Sequence, residues 1–145
     1  MKIALAQIYS APDNISANIK KICQLINQAA KESCDLIIFP ELAVSGYELK
    51  LLPEHVKELK KIKALTTIKE TCVENKICCI IGHPVEEYNN IYNCSSYITS
   101  ELSEKNITYI KSHLIHILEE DQYFSKGESL PVSFPLKGFN AMMSI

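Results

Sequence analysis

The chain has 145 residues, of which 47% are hydrophobic, and a formal net charge of -2 from 15 basic and 17 acidic side chains. A chain of this size can bury about two thirds of its unfolded surface in one domain. Charges of both signs are interspersed, so we expect no nucleic-acid partner. No apolar run approaches the roughly 20 residues that cross a bilayer, so we expect no membrane partner either.

Cysteine usage points to a reducing compartment. The chain has no Cys-x-x-Cys pair, and KIALAQI follows Met1 too closely, and is too short, to be the apolar part of a secretory signal. We therefore predict a cytoplasmic protein with reduced thiols. We interpret all six as small buried hydrophobic side chains: Cys23, Cys34, Cys72, Cys78, Cys79 and Cys94.

The first predicted elements are a strand and an amphipathic helix. KIALAQI, residues 2–8, has the short apolar pattern of a buried strand. The Pro-Asp-Asn sequence at residues 12–14 can cap a following helix. Apolar residues then recur every three or four positions, at Ile15, Ile19, Ile22, Ile26 and Ala30. This spacing places them on one helical face, which we expect to pack on a sheet.

Two strands and a further helix come next. DLIIF, residues 35–39, and ICCIIGH, residues 77–83, are apolar throughout, as in a sheet covered on both faces. Between them, Pro53 is predicted to open one helix with apolar positions Val56, Leu59, Leu65, Ile68 and Cys72. The alternation predicts an α/β fold with parallel neighbouring strands. We interpret His83 as a strand-end residue whose ring is hydrogen-bonded.

The second half of the chain contains only short predicted strands. They are IYNCSSYIT, NITYIK, LPVSFPL and FNAMMSI. Because their connections are short, we expect meandering or mixed pairing in the second half of the sheet. Repeats and linkers are absent from the sequence, so residues 1–145 are expected to form a single domain.

An acidic residue directly follows the second predicted strand. Pro40 cannot donate to a β-ladder and should end that strand, leaving Glu41 at its carboxyl end. Ligands of α/β folds bind in crevices at such ends. Gly46 permits a tight turn just beyond. From position alone, Glu41 is equally well interpreted as a solvated loop acid.

A lysine closes a later predicted strand. Lys111 ends NITYIK, and acidic residues follow at Glu119, Glu120 and Asp121. Taken alone, Lys111 is best interpreted as a surface lysine at a strand edge.

A zinc site is an alternative for the same segment. If HLIHILEE is helical, His113, His116 and Glu120 share one face and could bind zinc. The spacing is weak support, because histidines at such positions more often pack or form hydrogen bonds.

Together these segments resemble the nitrilase superfamily, the carbon–nitrogen hydrolases, over essentially the whole chain. DLIIFPELAVSGY is similar to the family motif that contains the catalytic glutamate, which corresponds to Glu41, and it ends at Tyr47, which we predict to bind substrate. YIKSHL is similar to the lysine motif, which corresponds to Lys111. EDQYFSKG resembles a Glu-x-x-x-Phe-x-x-Gly pattern, which makes Glu120 a supporting glutamate. Glu119 is the alternative if the register differs by one.

The resemblance implies a function and an architecture. Family members hydrolyse a carbon–nitrogen bond of an amide or nitrile with a Glu-Lys-Cys triad in an α-β-β-α sandwich. We therefore expect an incomplete half of that sandwich, with a mixed sheet and helices on one face. The substrate is expected to be a small amide or nitrile, no cofactor or metal is implied, and a homo-oligomer is expected. A weaker similarity covers the Tyr-Asn pair at Tyr92 and Asn93.

The resemblance also places the nucleophile outside this sequence. In the family the cysteine follows the strand that FNAMMSI resembles, and the sequence stops at Ile145, about one position earlier. We therefore expect a domain truncated at its carboxyl end and an inactive chain. Two alternatives stay open. One is a non-catalytic pseudoenzyme or interaction module. The other, suggested by EEDQYF, is an ammonia-supplying glutaminase domain of a glutamine-dependent synthetase.

Overall fold

A five-stranded mixed sheet forms the centre of the molecule, in a computed structural model that describes residues 1–128 and 130–145. The strands lie across the sheet in chain order: β1 (Ile3–Leu5), β2 (Leu36–Ile38), β3 (Cys78–Glu87), β4 (Asn90–Ile98) and β5 (Ile107–Ile110). β1, β2 and β3 are parallel, whereas β4 is antiparallel to both β3 and β5. The parallel order of β1, β2 and β3 and the antiparallel meander of β3, β4 and β5 are as predicted. The prediction that the first strand is buried is wrong, because β1 lies at the edge of the sheet and its Ile3 and Leu5 are exposed.

The last two strands leave the main sheet. β6 (Val132–Leu136) and β7 (Phe139–Met143) form a separate antiparallel hairpin, so the prediction that they extend the main sheet is wrong. The reason is apolar burial, because the hairpin packs on one face of the main sheet. Phe134 stacks on Tyr97 with ring centroids 4.1 Å apart, and Met143 is buried in the same cluster.

Helices cover the opposite face of the sheet. The described residues form α1 (Ile15–Lys31), α2 (Leu52–Lys61), α3 (Ala64–Asn75) and the short α4 (Glu120–Tyr123), and the two longest, α1 and α3, pack on that face. Asn14 caps α1 by accepting a hydrogen bond from the Ala17 N–H at 2.9 Å. α1 and α3 share one apolar cluster with the inner strands, so the sheet is covered on both faces. Within the described residues, no helix combines the length and apolar character that spanning a membrane requires.

The predicted second helix is two helices. Lys63 adopts a left-handed conformation with φ +51° and separates α2 from α3. The single-helix prediction is wrong because Leu59 and Leu65 are six positions apart, which does not repeat on one helical face. The break restarts the pattern, and Ile68 and Cys72 of α3 are fully buried.

A line of polar side chains connects the three antiparallel strands. His83 Nε2 lies 2.8 Å from Ser96 Oγ, which lies 2.7 Å from Thr108 Oγ1. His83 is inside β3 rather than at its end, because the strand continues to Glu87, but its ring is hydrogen-bonded as predicted. Burial lowers the pKa of His83 to about 4, opposed by a hydrogen bond with the Pro84 carbonyl.

The buried His83 predicts acid sensitivity of the fold. Its folded pKa of about 4 is below the ordinary value of 6.5. The neutral ring therefore contributes its full stabilisation above pH 6.5, and this stabilisation is lost as the pH falls from 6.5 towards 4. Between pH 7 and pH 5 we expect the free energy of unfolding to fall by about 2 kcal/mol from this residue alone. Urea unfolding at both pH values tests it. His83→Gln should flatten the pH dependence, whereas His116→Asn, an exposed control, should not.

Candidate active site

Glu41 is held at the end of β2 by the turn that follows it. β2 ends at Ile38, and Pro40 leads into a turn that begins at Glu41. The turn crosses β3 so closely that a Cβ on Gly82 would lie 2.7 Å from the Glu41 Cα. Gly46 closes the segment with φ +75°. The Glu41 side chain is 32% exposed, so the prediction of a carboxylate at the strand end agrees with the structure.

Lys111 is buried beside that carboxylate. It directly follows β5. Its backbone N–H donates to the backbone oxygen of Asn93 at 2.9 Å, and its backbone oxygen accepts from the Gly127 N–H at 2.9 Å. Its Nζ lies 2.7 Å from Glu41 Oε1 and 3.0 Å from Glu120 Oε1. Only 5% of its side chain is exposed, so the interpretation as a surface lysine is wrong.

Glu120 is the second carboxylate on Lys111. Its side chain is fully buried at the start of α4, and its Oε2 accepts from the Ile115 N–H at 2.7 Å. Glu119 adopts a left-handed conformation with φ +59° and is exposed, so Glu120 and not Glu119 contacts the lysine. Phe124 packs in a small apolar cluster and fixes this segment. Its backbone N–H donates to the backbone oxygen of Glu120 at 2.7 Å.

The charges of this cluster support one another. Burial alone would lower the pKa of Lys111, but hydrogen bonds and charge from Glu41 and Glu120 outweigh it and raise the pKa. Burial alone would raise the pKa of Glu120, but Tyr47, the Ile115 N–H and Lys111 together lower it. The ammonium and the Glu120 carboxylate are therefore both charged at neutral pH.

Tyr47 joins the cluster to an open cavity. Its hydroxyl donates to Glu120 Oε1, and burial, followed by the effect of Glu120, raises the pKa of the phenol well above its ordinary value. The side chain is 44% exposed and, with Glu41, lines a cavity of about 300 Å³. All four residues predicted for the site, Glu41, Tyr47, Lys111 and Glu120, are thus brought together by the fold.

Sequence reasoning assigned no role to another residue of this cluster. Asn93 is fully buried on β4, and its Nδ2 donates to Glu41 Oε1 at 2.6 Å. The Tyr-Asn resemblance pointed to this position. A polar amide inside a predicted strand was a further signal, but it does not by itself distinguish Asn93 from Asn90, Ser95 and Ser96 of the same strand.

None of the six cysteines lies at the cluster. Cys94 follows Asn93 directly, but side chains alternate along a strand, so it faces away from Glu41. Burial, followed by the charge of Glu87, raises the pKa of Cys94 to about 12. Four of the six are buried and the other two are half-buried, as expected for small apolar side chains.

The zinc alternative does not fit the structure. Residues 113–120 do not form one helix, because a 3-10 turn at His116–Leu118 is followed by a left-handed Glu119. His116 pairs with Asp121 on the surface at 2.8 Å, whereas Glu120 faces Lys111. Within the described residues, no three metal-binding side chains form a cluster that could hold an ion.

A second cavity lies away from the cluster. It has a volume of about 340 Å³ and is bounded by α2, α3 and the far part of β3, with mainly apolar walls and His83 among its lining residues. Neither Glu41 nor Lys111 lines it. We therefore assign the candidate site to the carboxylate–lysine cluster and not to this second, apolar cavity.

Comparison with known proteins identifies the family. The model of the carbon-nitrogen hydrolase family matches residues 2–139. The chain belongs to the carbon–nitrogen hydrolase family. Curated relatives of this chain include a glutamine-dependent NAD(+) synthetase from Acinetobacter baylyi, 35% identical over 133 residues, covering 87% of this chain and 23% of the synthetase. A 2-oxoglutaramate amidase from Bacillus subtilis is 30% identical, covering 77% of this chain and 42% of the amidase. An arylacetonitrilase from Aspergillus niger is 26% identical, covering 70% of this chain and 34% of the nitrilase.

Solved structures show the same fold. An amidase from Nesterenkonia sp. superposes with a TM-score of 0.86 at 21% identity, covering 98% of this chain and 54% of the amidase. The α/β fold of the nitrilase superfamily is thus confirmed. The chain spans about half the length of that amidase and about a quarter of the length of the synthetase.

Removing the Glu120 charge should destabilise the fold. In Glu120→Gln the buried Lys111 loses one of its two carboxylates, so we expect the free energy of unfolding to fall by about 3 kcal/mol at pH 7. Urea denaturation measures it. Glu119→Gln, one position earlier and exposed, should change little.

The same variant carries a pH signature. The folded pKa of Glu120 is below its ordinary value of 4.5, so its contribution is complete above that value and is lost as the pH falls further. The difference between wild type and Glu120→Gln should therefore shrink in acid. Equal stability of wild type and Glu120→Gln at pH 7 would contradict the geometry described above.

Proposed function

We propose that this site hydrolyses the carbon–nitrogen bond of a small amide or nitrile by a Glu-Lys-Cys mechanism. Glu41 acts as general base and then general acid, Lys111 stabilises the oxyanion, and Glu120 positions the lysine. Tyr47 positions Glu120 and borders the substrate cavity. The single observation that carries the proposal is the contact of the Lys111 ammonium with Glu41 at 2.7 Å, across 70 residues of sequence.

The placement of the charges suits this chemistry. A nucleophilic thiol must lose its proton and the leaving nitrogen must gain one, and a partly exposed carboxylate such as Glu41 can serve both steps. A buried ammonium is already oriented for the negative oxygen of a tetrahedral intermediate. Stabilisation by one such donor is typically about 3 to 4 kcal/mol. The paired carboxylates keep that ammonium charged despite its burial.

The nucleophile in this proposal comes from outside the 145 residues. Within the described part of the chain, no cysteine forms a hydrogen bond with Glu41, Lys111 or Glu120. β7 supports the location, because Met143 near its end is buried and its sulfur lies 3.1 Å from Ser95 Oγ on the face of β4 that also bears Asn93. A thiol supplied just after this strand would approach the cavity.

A glutaminase is the second candidate. Glutamine-dependent NAD(+) synthetases are 28 to 35% identical to this chain. The one from Aquifex aeolicus aligns with the whole of this chain and with 25% of the synthetase. With the same cluster of residues, such a domain would release ammonia from glutamine for use by a synthetase. The two candidates differ in the acyl group accepted and not in the roles of Glu41 and Lys111.

Ammonia release tests the proposal. The 145-residue chain alone should release none from small amides, nitriles or glutamine. Joined after β7 to the remainder of the Nesterenkonia sp. amidase, including that amidase's active-site cysteine, it should release ammonia from small amides. Glu41→Gln should lower the rate about 100- to 10000-fold, and Glu48→Gln, an exposed acid nearby, should not.

Each result has a clear meaning. Release from glutamine alone would favour the glutaminase. Release by the unextended chain would overturn the view that its nucleophile lies elsewhere. A folded chimera, verified by circular dichroism, that releases no ammonia from any of these compounds would favour a non-catalytic module with this fold.

A further inference from the structure

We infer that Asn93 is a positioning residue that selects which oxygen of Glu41 acts as the base, an inference that rests on the proposed hydrolase function. Asn93 lies on β4 opposite Pro84. Its Nδ2 donates to Glu41 Oε1 at 2.6 Å, and its backbone oxygen accepts from the Lys111 N–H at 2.9 Å. One buried residue therefore contacts both charged partners.

The two oxygens of the Glu41 carboxylate have different surroundings. Oε1 accepts from Asn93 Nδ2 and from Lys111 Nζ, at 2.6 and 2.7 Å. Oε2 accepts no hydrogen bond from any residue that the structure describes. The side chain is 32% exposed and lines the cavity, whereas both donors are buried. We therefore assign Oε2, which neither donor contacts, to the cavity side. Two donors on one oxygen fix the rotation of the group and leave the other oxygen free.

Stability does not explain an asparagine at this position. Asn93 Oδ1 is buried and has no hydrogen-bond partner among the described residues, which costs free energy of folding. An apolar side chain of similar size would avoid that cost. What an apolar side chain cannot do is donate to Glu41 Oε1, and this contact is the one side-chain hydrogen bond found for Asn93 in the described structure.

The inferred role fits the proton balance of the proposed reaction. For an amide, the thiol S–H bond breaks, an O–H bond forms on Glu41 Oε2, and the sulfur bonds to the carbonyl carbon, whose C=O electron pair moves onto oxygen. That O–H bond then breaks and an N–H bond forms on the leaving nitrogen, as the C=O bond re-forms and the carbon–nitrogen bond breaks, leaving a thioester. Asn93 exchanges no proton, but it keeps Oε1 occupied so that Oε2 serves both transfers.

Nuclear magnetic resonance of the wild-type chain gives a direct test. The side-chain amide protons of Asn93 should shift with pH together with the Glu41 carboxyl carbon, and this shift should disappear in Glu41→Gln. Asn18 is the internal control, because its buried amide donates to the backbone oxygens of Ala11 and Val44 at 2.7 and 3.1 Å. Its resonances should not follow Glu41.

Butyramide binding provides the matching functional readout. Asn93→Leu should weaken binding of this small primary amide about tenfold, because Oε2 is no longer oriented toward it, while the thermal midpoint stays close to wild type. Asn93→Asp should bind weakly at pH 7, where two carboxylates repel. It should regain binding in acid, where one proton is shared between them. A purely structural role would not produce that pH dependence.

Failure of this inference is distinguishable from failure of the proposed function. The inference is overturned if the Asn93 amide does not follow Glu41 and Asn93→Leu binds butyramide as wild type does; the hydrolase proposal then still stands. If the amide follows Glu41 but the folded chimera releases no ammonia, the positioning role is supported and the hydrolase proposal is the one that fails.

Discussion

The Lys111 ammonium is buried between two carboxylates, one from each side of it in the sequence, and the arrangement of the site depends on this contact. Glu41 arrives from the end of β2 and Glu120 from the segment after β5. A buried ammonium is costly unless paired, and a buried carboxylate likewise. The three side chains therefore hold one another in a geometry that none would adopt alone, and they connect distant parts of the chain.

The fold supplies the precision that this contact needs. The backbone of Lys111 is fixed by hydrogen bonds to Asn93 and Gly127, so the ammonium is directed by the sheet and not by a mobile loop. Gly82 lets the Glu41 turn cross β3 closely. Tyr47 completes the group on the solvent side. Each support comes from a different element, so the site can form only when the sheet has formed.

Local patterns predicted much of this architecture. Helical spacing identified α1, continuous apolar runs identified β2 and β3, and the alternation of elements predicted their parallel order. The meeting of Glu41 with Lys111 was expected from the resemblance alone, since no local pattern relates residues 70 positions apart. The cytoplasmic location and the homo-oligomer stay predictions.

The misses also have physical causes. The break at Lys63 depends on how two helices share a surface, and the path of the β6–β7 hairpin depends on which sheet face remains uncovered; neither is a local property. The role of Asn93 depends on strand register, which sets the side chain that faces Glu41. A sequence pattern does not reveal which of several polar residues in a strand reaches the site.

A double-mutant cycle measures the central contact most directly. The free energies of unfolding of wild type, Glu41→Gln, Lys111→Met and the double variant should give a coupling energy of about 1.5 to 3 kcal/mol, as for hydrogen bonds to charged groups. The same cycle on Lys60 and Glu86, a pair at 2.9 Å whose lysine is 60% exposed where Lys111 is 5% exposed, should give a much smaller coupling. If the Glu41 and Lys111 substitutions change the free energy of unfolding additively, the coupling energy is zero and the account of a charged pair between these two residues is contradicted.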